Sequence, residues 1–231
     1  MKTAVLGSDQ PPGERVGSDS NRSLSVTEVE GVESLPYEHL NLRFNPFGEP
    51  TYDEWAQLAV VDAAPIQRGE IRQVLGRCGR GKTTYLLALR RRHPESRYVR
   101  VDPPPEKPPR LPPPRETPLL LLDEAQALKE RALKRALRRY ETVVFTSHVD
   151  YTSLSPRPLE TLRLAGLSQE KLALVIERRL QWARRGPGRI PQITKSTMDT
   201  LLRRWGDDLR AILDALYDAV QDLEEPCHVQ M

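Results

Sequence analysis

The chain has 231 residues, 38% of them hydrophobic and 29% charged, and its formal net charge is +3. This length suits one α/β domain with a smaller appended domain, and no apolar run is long enough to cross a membrane. The two cysteines, Cys78 and Cys227, are too few for a disulfide framework. Together with an apolar start that is too short for a secretory signal, they predict a cytoplasmic protein.

Residues 1–36 are rich in Gly, Ser, Pro, Asp and Glu without sustained periodicity, which predicts a disordered acidic tail. The apolar and aromatic residues that follow include Leu42, Phe44 and Phe47, which are candidates for the wall of an adenine pocket. The alternative is that these side chains cap one end of the core. A short helix is expected around Tyr52 to Val61.

The stretch from Gly76 to Thr83 matches the phosphate-binding motif G-x-x-x-x-G-K-[ST] at every fixed position. It lies between a predicted buried strand, Ile71 to Leu75, and a predicted helix from about Lys82 to Arg92, which is the order that such a loop requires. A glycine-rich turn without a ligand is the alternative. The predicted nucleotide-binding residues of this segment are Gly76, Arg77, Cys78, Gly79, Arg80, Gly81, Lys82, Thr83 and Thr84.

The residue types of this loop have a chemical reason. Glycines let the backbone bend so that several N–H groups point at one anion. Lys82 supplies a cation for the β- and γ-phosphates, and the hydroxyl of Thr83 is a suitable ligand for Mg²⁺. The helix that begins near Lys82 directs its positive N-terminus at the same phosphates. The loop therefore predicts binding of a nucleoside triphosphate.

A second strand is expected at Tyr98 to Val101, and a proline-rich connector follows over residues 103–118. Proline removes a backbone donor and fixes φ, so this connector cannot be a central strand or a helix. It favours an extended segment at the surface. A motif that docks a partner is the alternative to a stiff connector.

Four leucines, Leu119 to Leu122, predict a strand that is buried on both faces of a parallel sheet. The strand ends in Asp123 and Glu124. Asp123 is expected to hold Mg²⁺ together with Thr83, and Glu124 is expected to accept a proton from the attacking water. The alternative is an exposed acidic pair at a strand end.

A basic helix is predicted over Ala125 to Tyr140, and a strand is predicted over Thr142 to His148. The end of this strand offers three polar side chains to the nucleotide. Thr146 or Ser147, in preference to His148, is the candidate that senses the γ-phosphate or orients the water.

Another short strand is expected at Thr161 to Leu167. Beyond it, three amphipathic helices predict a small helical lid over residues 168–224, and residues 225–231 are expected to be frayed. The sheet domain would then comprise residues 37–167. The predicted N-caps of the three helices are Ser168, Thr194 and either Asp207 or Asp208.

The order of phosphate loop, acidic strand, polar strand end and helical domain resembles the AAA+ class of P-loop ATPases over roughly Tyr37 to Leu223. Within that class, Leu42-Arg-Phe-Asn-Pro-Phe47 is similar to the opening of the secretion-type and transposition-helper members. The resemblance implies an α/β fold with a five-stranded parallel sheet and a C-terminal helical lid. It also implies binding of ATP with Mg²⁺ and action as a homo-oligomer on DNA or on another protein.

The resemblance implies further site residues. Gly206 to Arg210 resembles the lid segment whose arginine reaches the γ-phosphate, which nominates Arg210 as a catalytic residue. The arginine that would act on a neighbouring subunit is not obvious, and Arg157 and Arg163 are the candidates. The proline connector replaces the region in which such ATPases carry a loop that grips DNA or substrate, so that loop is missing or altered. The acidic strand and His148 also resemble features of the ABC type of ATPase. That type is disfavoured, because it requires a Ser-Gly-Gly helix where this chain has prolines.

These observations support an Mg²⁺-dependent ATPase that changes the lid angle and so acts on a partner. A nucleotide-gated binding module with little turnover is the second hypothesis. DNA binding is the third, because basic residues cluster at Arg90 to Arg92, Lys129 to Arg139 and Arg178 to Arg189; solvated helix faces are the alternative. A small-molecule kinase is disfavoured, since Glu124 suits a water nucleophile better than a bound acceptor.

Overall fold

A computed structural model of the chain describes residues 36–61, 63–101 and 110–229. The predicted acidic tail lies outside the described residues, apart from Pro36. Residues 103–109 of the proline-rich connector also lie outside them, and its described part contains a short 3₁₀ turn at Pro114–Glu116. None of the described helices is long and apolar enough to cross a bilayer.

The described chain contains six α-helices and seven strands. The helices are α1 (Tyr52–Leu58), α2 (Lys82–Arg92), α3 (Glu130–Arg139), α4 (Gln169–Ala183), α5 (Lys195–Trp205) and α6 (Leu209–Gln221). The strands are β1 (Ile71–Leu75), β2 (Arg97–Arg100), β3 (Leu119–Asp123), β4 (Thr142–Ser147), β5 (Leu159–Arg163), β6 (Gln192–Ile193) and β7 (His228–Val229).

Five strands form one parallel sheet in the order β2-β3-β4-β1-β5, which confirms the predicted α/β fold with a five-stranded parallel sheet. Every residue of β1, β3 and β4 is buried. Alternating side chains of these strands enter two separate clusters, with α2 on one face of the sheet and α3 on the other. This double coverage explains why the acidic strand could be a run of leucines.

Helices α4, α5 and α6, which were predicted to form the helical lid, share an apolar cluster around Leu172, Leu201 and Leu216. Ser168, Thr194 and Asp208 accept hydrogen bonds from the first turns of these helices, as N-caps do. The three helices predicted after the sheet are present, and their role as a lid domain stays a prediction.

The N-terminal stretch from Tyr37 to Phe47 packs on the lid, although the sequence assigned it to the sheet domain. Leu40, Leu42 and Phe47 are buried in the apolar cluster of the lid. Leu42 also forms an isolated antiparallel bridge with Arg184, just beyond α4. Apolar side chains alone did not indicate which cluster they join, and the domain boundary at residue 37 stays a prediction.

Three element boundaries also differ from the predictions. The helix expected from Ala125 is interrupted, since a 3₁₀ turn ends at Ala127 and α3 begins at Glu130. Strand β5 begins at Leu159 and ends at Arg163, earlier than expected. The expected frayed end is wrong at β7, which pairs with β6 while Val229 is 1% exposed.

Candidate active site

The site lies at the edge of the sheet where the parallel strands β1, β3 and β4 end. Strand β4 lies between β1, which leads into the phosphate loop, and β3, which ends in Asp123. Residues that are far apart in the sequence therefore meet beside the loop. The predicted loop, acidic pair and polar strand end fall together in the structure.

The phosphate loop turns sharply at two glycines. Gly79 and Gly81 have φ of 75° and 83°, a region that side-chain-bearing residues rarely adopt. Gly81 is the N-cap of α2, and no side chain caps that helix. The first amides of α2 are therefore free of a side-chain acceptor and can donate to an anion.

Lys82 is held inside the loop, where the residue is 6% exposed. Its Nζ donates to the carbonyl oxygens of Gly76 at 3.0 Å and Arg77 at 3.1 Å. Burial lowers the pKa of Lys82, and the nearby charges of Glu124, Cys78 and Asp123 oppose that shift. A buried cation beside a concave loop is the arrangement that an anionic ligand would complete.

Asp123 is fully buried and joins three elements through its carboxylate. Thr83 Oγ1 donates to Asp123 Oδ2 at 2.8 Å, and the hydroxyl of Tyr98 donates to the same oxygen at 2.9 Å. Thr146 Oγ1 donates to Asp123 Oδ1 at 2.5 Å. These bonds place the hydroxyl of the loop directly against the carboxylate of β3.

The oxygens of Thr83 and Asp123 suit Mg²⁺, which prefers hard oxygen ligands. Among the described residues, no group of three or more His, Cys, Asp or Glu side chains could hold a metal ion by itself. Mg²⁺ commonly binds through one or two protein oxygens, with water and phosphate oxygens as the other ligands. The donor set therefore fits a metal that arrives with a nucleotide.

Glu124 adopts a left-handed backbone conformation, with φ of 58°. Its N–H donates to Thr146 Oγ1 at 2.9 Å, and its carboxylate accepts a hydrogen bond from Gln126 Nε2. This conformation is rare for a residue other than glycine and costs about 1 kcal/mol or more, and such outliers concentrate at functional sites. It also ends β3 and turns the chain into the 3₁₀ segment.

His148 has a more central place than the sequence suggested. Its ring nitrogens lie 3.3 and 3.4 Å from Lys82 Nζ, and Nε2 lies 3.6 Å from Glu124 Oε2. Nε2 is also 3.8 Å from Cys78 Sγ. The signal that pointed to His148 was its position directly after β4, the strand between the loop and the acidic pair.

Of the two sensor candidates, Thr146 contacts the acidic pair and Ser147 does not. Both residues are fully buried. Ser147 Oγ accepts a hydrogen bond from the N–H of Val149 at 2.9 Å, which stabilises the turn after β4. The site geometry thus favours Thr146 over Ser147, and sensing itself stays a prediction.

The lid meets the phosphate loop through two aspartates. Arg80 forms an ion pair with Asp207, and a Cβ added at Gly79 would lie 2.5 Å from Asp208 Oδ1. Arg210 is exposed, and its guanidinium forms no hydrogen bond or ion pair with any described residue. Sequence reasoning predicted Asp207 and Asp208 only as caps and so missed their contact with the loop.

The candidate adenine-pocket residues lie in the lid core. Leu42 and Phe47 are 0% and 4% exposed. Phe44 packs edge-on against Trp182, with ring centroids 4.4 Å apart. Contact of Phe47 with a nucleotide base stays a prediction.

The two candidates for an arginine that acts on a neighbour lie near opposite ends of β5. Arg157 donates to the carbonyl oxygens of Gly69, Leu137, Tyr140 and Glu141, near the beginnings of β1 and β4, so it binds its own fold away from the phosphate loop. Arg163 ends β5, and its side chain is 69% exposed and paired with Asp150. Arg163 lies at the same end of the strands as the phosphate loop, because it is paired with Leu75 of β1.

No protein-family model and no curated protein matches the sequence. Among solved structures, the chain is similar to a point mutant of RuvB from Thermotoga maritima, with 17% identity, a TM-score of 0.46 and coverage of 66% of this chain and 55% of that one. It is also similar to NtrX from Brucella abortus in complex with ADP, with 16% identity, a TM-score of 0.47 and coverage of 77% and 50%. The chain thus spans about half the length of these two proteins. Similarity at this level says nothing about activity.

Proposed function

We propose that this chain is an Mg²⁺-dependent ATPase of the AAA+ type, which hydrolyses ATP to ADP and phosphate. The observation that carries this proposal is the 2.8 Å hydrogen bond between Thr83 Oγ1 and Asp123 Oδ2. This bond joins the phosphate loop to the acidic strand. Lys82, which would bind phosphate, and Glu124, which would accept a proton from water, therefore lie on the same side of the site.

The residues would divide the work as follows. The loop amides and Lys82 bind and neutralise the β- and γ-phosphates, which stabilises charge as the phosphoryl group is transferred. Thr83 and Asp123 hold Mg²⁺, which when bound neutralises phosphate charge. Glu124 accepts a proton from the water that attacks the γ-phosphate. Thr146 is hydrogen-bonded to both the carboxylate of Asp123 and the backbone N–H of Glu124, so it fixes the position of these two residues relative to each other.

The output of hydrolysis would be movement of the lid. Arg80 and Asp207 connect the phosphate loop to the turn between α5 and α6, so a change at the phosphates can alter the lid angle. We also propose that the protein works in the cytoplasm and as a homo-oligomer, in which Arg163 is the candidate that acts on the neighbouring subunit. The partner on which the lid acts would be DNA or another protein.

The test is phosphate release together with binding of a fluorescent ATP analogue. Lys82→Ala should lower ATP affinity at least tenfold, whereas Lys195→Ala, an exposed lysine on α5, should leave it unchanged. Glu124→Gln should keep binding and lose at least 90% of turnover, because the amide cannot accept the proton. Normal ATP binding and hydrolysis by Lys82→Ala would rule out the proposal.

A nucleotide-gated binding module is the second candidate. It is favoured by the side chain of Glu124, which is held by Gln126 and lies near His148 and so is restrained before any water is oriented. In that case the wild-type protein would bind ATP with little turnover, and Glu124→Gln would leave both properties unchanged.

A further inference from the structure

Helix α3 has one buried face and one strongly basic face. Leu133, Ala136 and Leu137 pack on the sheet. The opposite face carries five exposed cations and no exposed apolar side chain. These cations are Arg131, Lys134, Arg135, Arg138 and Arg139.

The cations of this face are unpaired within the described residues. None of the five cations forms a hydrogen bond or ion pair with any residue in the part of the chain that the structure describes. Other arginines of the chain do form such pairs, for example Arg68 with Glu141 and Arg72 with Glu160. The acidic residue of α3, Glu130, lies in its first turn. The excess charge of the basic face is therefore local and available to a partner.

The shape of the face matches a phosphate backbone. At 1.5 Å per residue, Arg131 and Arg139 are separated by about 12 Å along the helix axis. A DNA duplex presents about seven phosphate charges over that length. Four of the five cations are arginines, whose planar fork suits phosphate oxygens.

We propose that the outward face of α3 binds the phosphate backbone of duplex DNA without reading its sequence. An acidic protein or an anionic membrane is less suited, because both usually add apolar contacts and this face has no exposed apolar side chain. A single-stranded partner is less suited because the face has no aromatic side chain for base stacking.

The fold also places two of the basic clusters noted in the sequence on different faces of the sheet. Arg90 and Arg91 lie in the last turn of α2, which packs on the other face of the sheet from α3. A straight duplex that lies on α3 therefore cannot contact both clusters. The pair Arg90 and Arg91 provides a control with the same change of charge.

The experiment measures binding of a fluorescent 25-base-pair duplex by anisotropy, without nucleotide and over a range of salt concentrations. Wild-type protein should bind at low salt, with a slope of log affinity against log salt of about −4 to −5 for five phosphate contacts. Arg131→Glu with Arg135→Glu should weaken binding at least tenfold and make the slope less steep by about two. Arg90→Glu with Arg91→Glu should change affinity less than threefold.

Three outcomes would overturn the proposal. They are no duplex binding at low salt, equal effects of the two double variants, and binding of polyglutamate or of anionic vesicles, but not of duplex, through α3. Circular dichroism of each variant confirms that it is folded. The inference goes beyond the proposed ATPase and does not depend on it, because binding is measured without ATP. If Lys82→Ala did not alter ATP hydrolysis, the ATPase proposal would fail and the proposal of DNA binding by α3 would be unaffected.

Discussion

Arg80, in the phosphate loop, forms an ion pair with Asp207, in the turn between α5 and α6. The two side chains are 24% and 35% exposed, so the pair is partly shielded from water. Arg80 Nε is buried without a hydrogen-bond partner among the described residues. The carboxylate of Asp207, in the lid, therefore lies beside a loop whose amides and lysine are suited to bind an anion such as phosphate.

Asp207→Asn should tighten ATP binding about fivefold. The substitution removes a negative charge near the phosphates and releases Arg80 to contact them, an effect of about 1 kcal/mol for partly exposed charges. Titration calorimetry measures it, and Asp214→Asn, on the exposed side of α6, is the control. Weaker binding by Asp207→Asn would mean that the ion pair orders the loop instead of competing with phosphate.

Gly79→Ala should lower the free energy of unfolding by about 2 kcal/mol. The left-handed backbone disfavours alanine by about 1 kcal/mol, and the new Cβ displaces Asp208, whose cap of α6 is worth about 1 kcal/mol more. Gly69→Ala is the control, because Gly69 has φ of 86° and a Cβ added there would have no atom within 4 Å. Urea unfolding compares the two, and equal losses would show that Asp208 moves away freely.

His148→Ala should slow ATP turnover about tenfold and change the KM for ATP less than threefold. The imidazole lies between Lys82 and Glu124, so its loss should leave the acid less well positioned for water while phosphate contacts remain. Steady-state kinetics separate kcat from KM, and His93→Ala, at the end of α2, is the control. A large rise in KM with unchanged kcat would instead assign His148 to nucleotide binding.

Tyr98→Phe should be destabilising at neutral pH and should no longer be destabilising at pH 11. Burial and the carboxylate of Asp123 raise the pKa of Tyr98 above its ordinary value of 10.0. The unfolded chain releases this proton near pH 10 and the folded chain keeps it, so the stability supplied by Tyr98 is complete below pH 10 and falls by about 1.4 kcal/mol by pH 11.

At pH 7.5 the loss of the hydrogen bond to Asp123 should make Tyr98→Phe about 1 kcal/mol less stable than wild type. At pH 11 the difference should vanish or reverse. Urea unfolding at both pH values tests this, with Tyr217→Phe, at a side chain that is 37% exposed, as the control. The same difference in stability between Tyr98→Phe and wild type at both pH values would contradict a raised pKa of Tyr98.

Much of the site could be predicted because its chemistry is local in the sequence. The phosphate loop, Gly76 to Thr83, is contiguous in the sequence, and the spacing of its glycines and lysine is the one that phosphate binding requires. Asp123 and Glu124 follow a run of leucines that belongs in the middle of a sheet, and caps such as Ser168 are single residues beside their helices. Hydrophobic periodicity and residue type were sufficient for these features, because each depends on neighbours within a few positions.

Long-range packing determined the rest. Only the strand order puts β4 between the phosphate loop and the acidic strand, which brings His148 to Lys82 and Thr146 to Asp123. Asp207 is 127 positions from Arg80, and no local pattern relates them. Such contacts form when hydrophobic faces of separate elements are buried against one another. That packing depends on the whole chain, so it cannot be predicted from a short stretch of sequence.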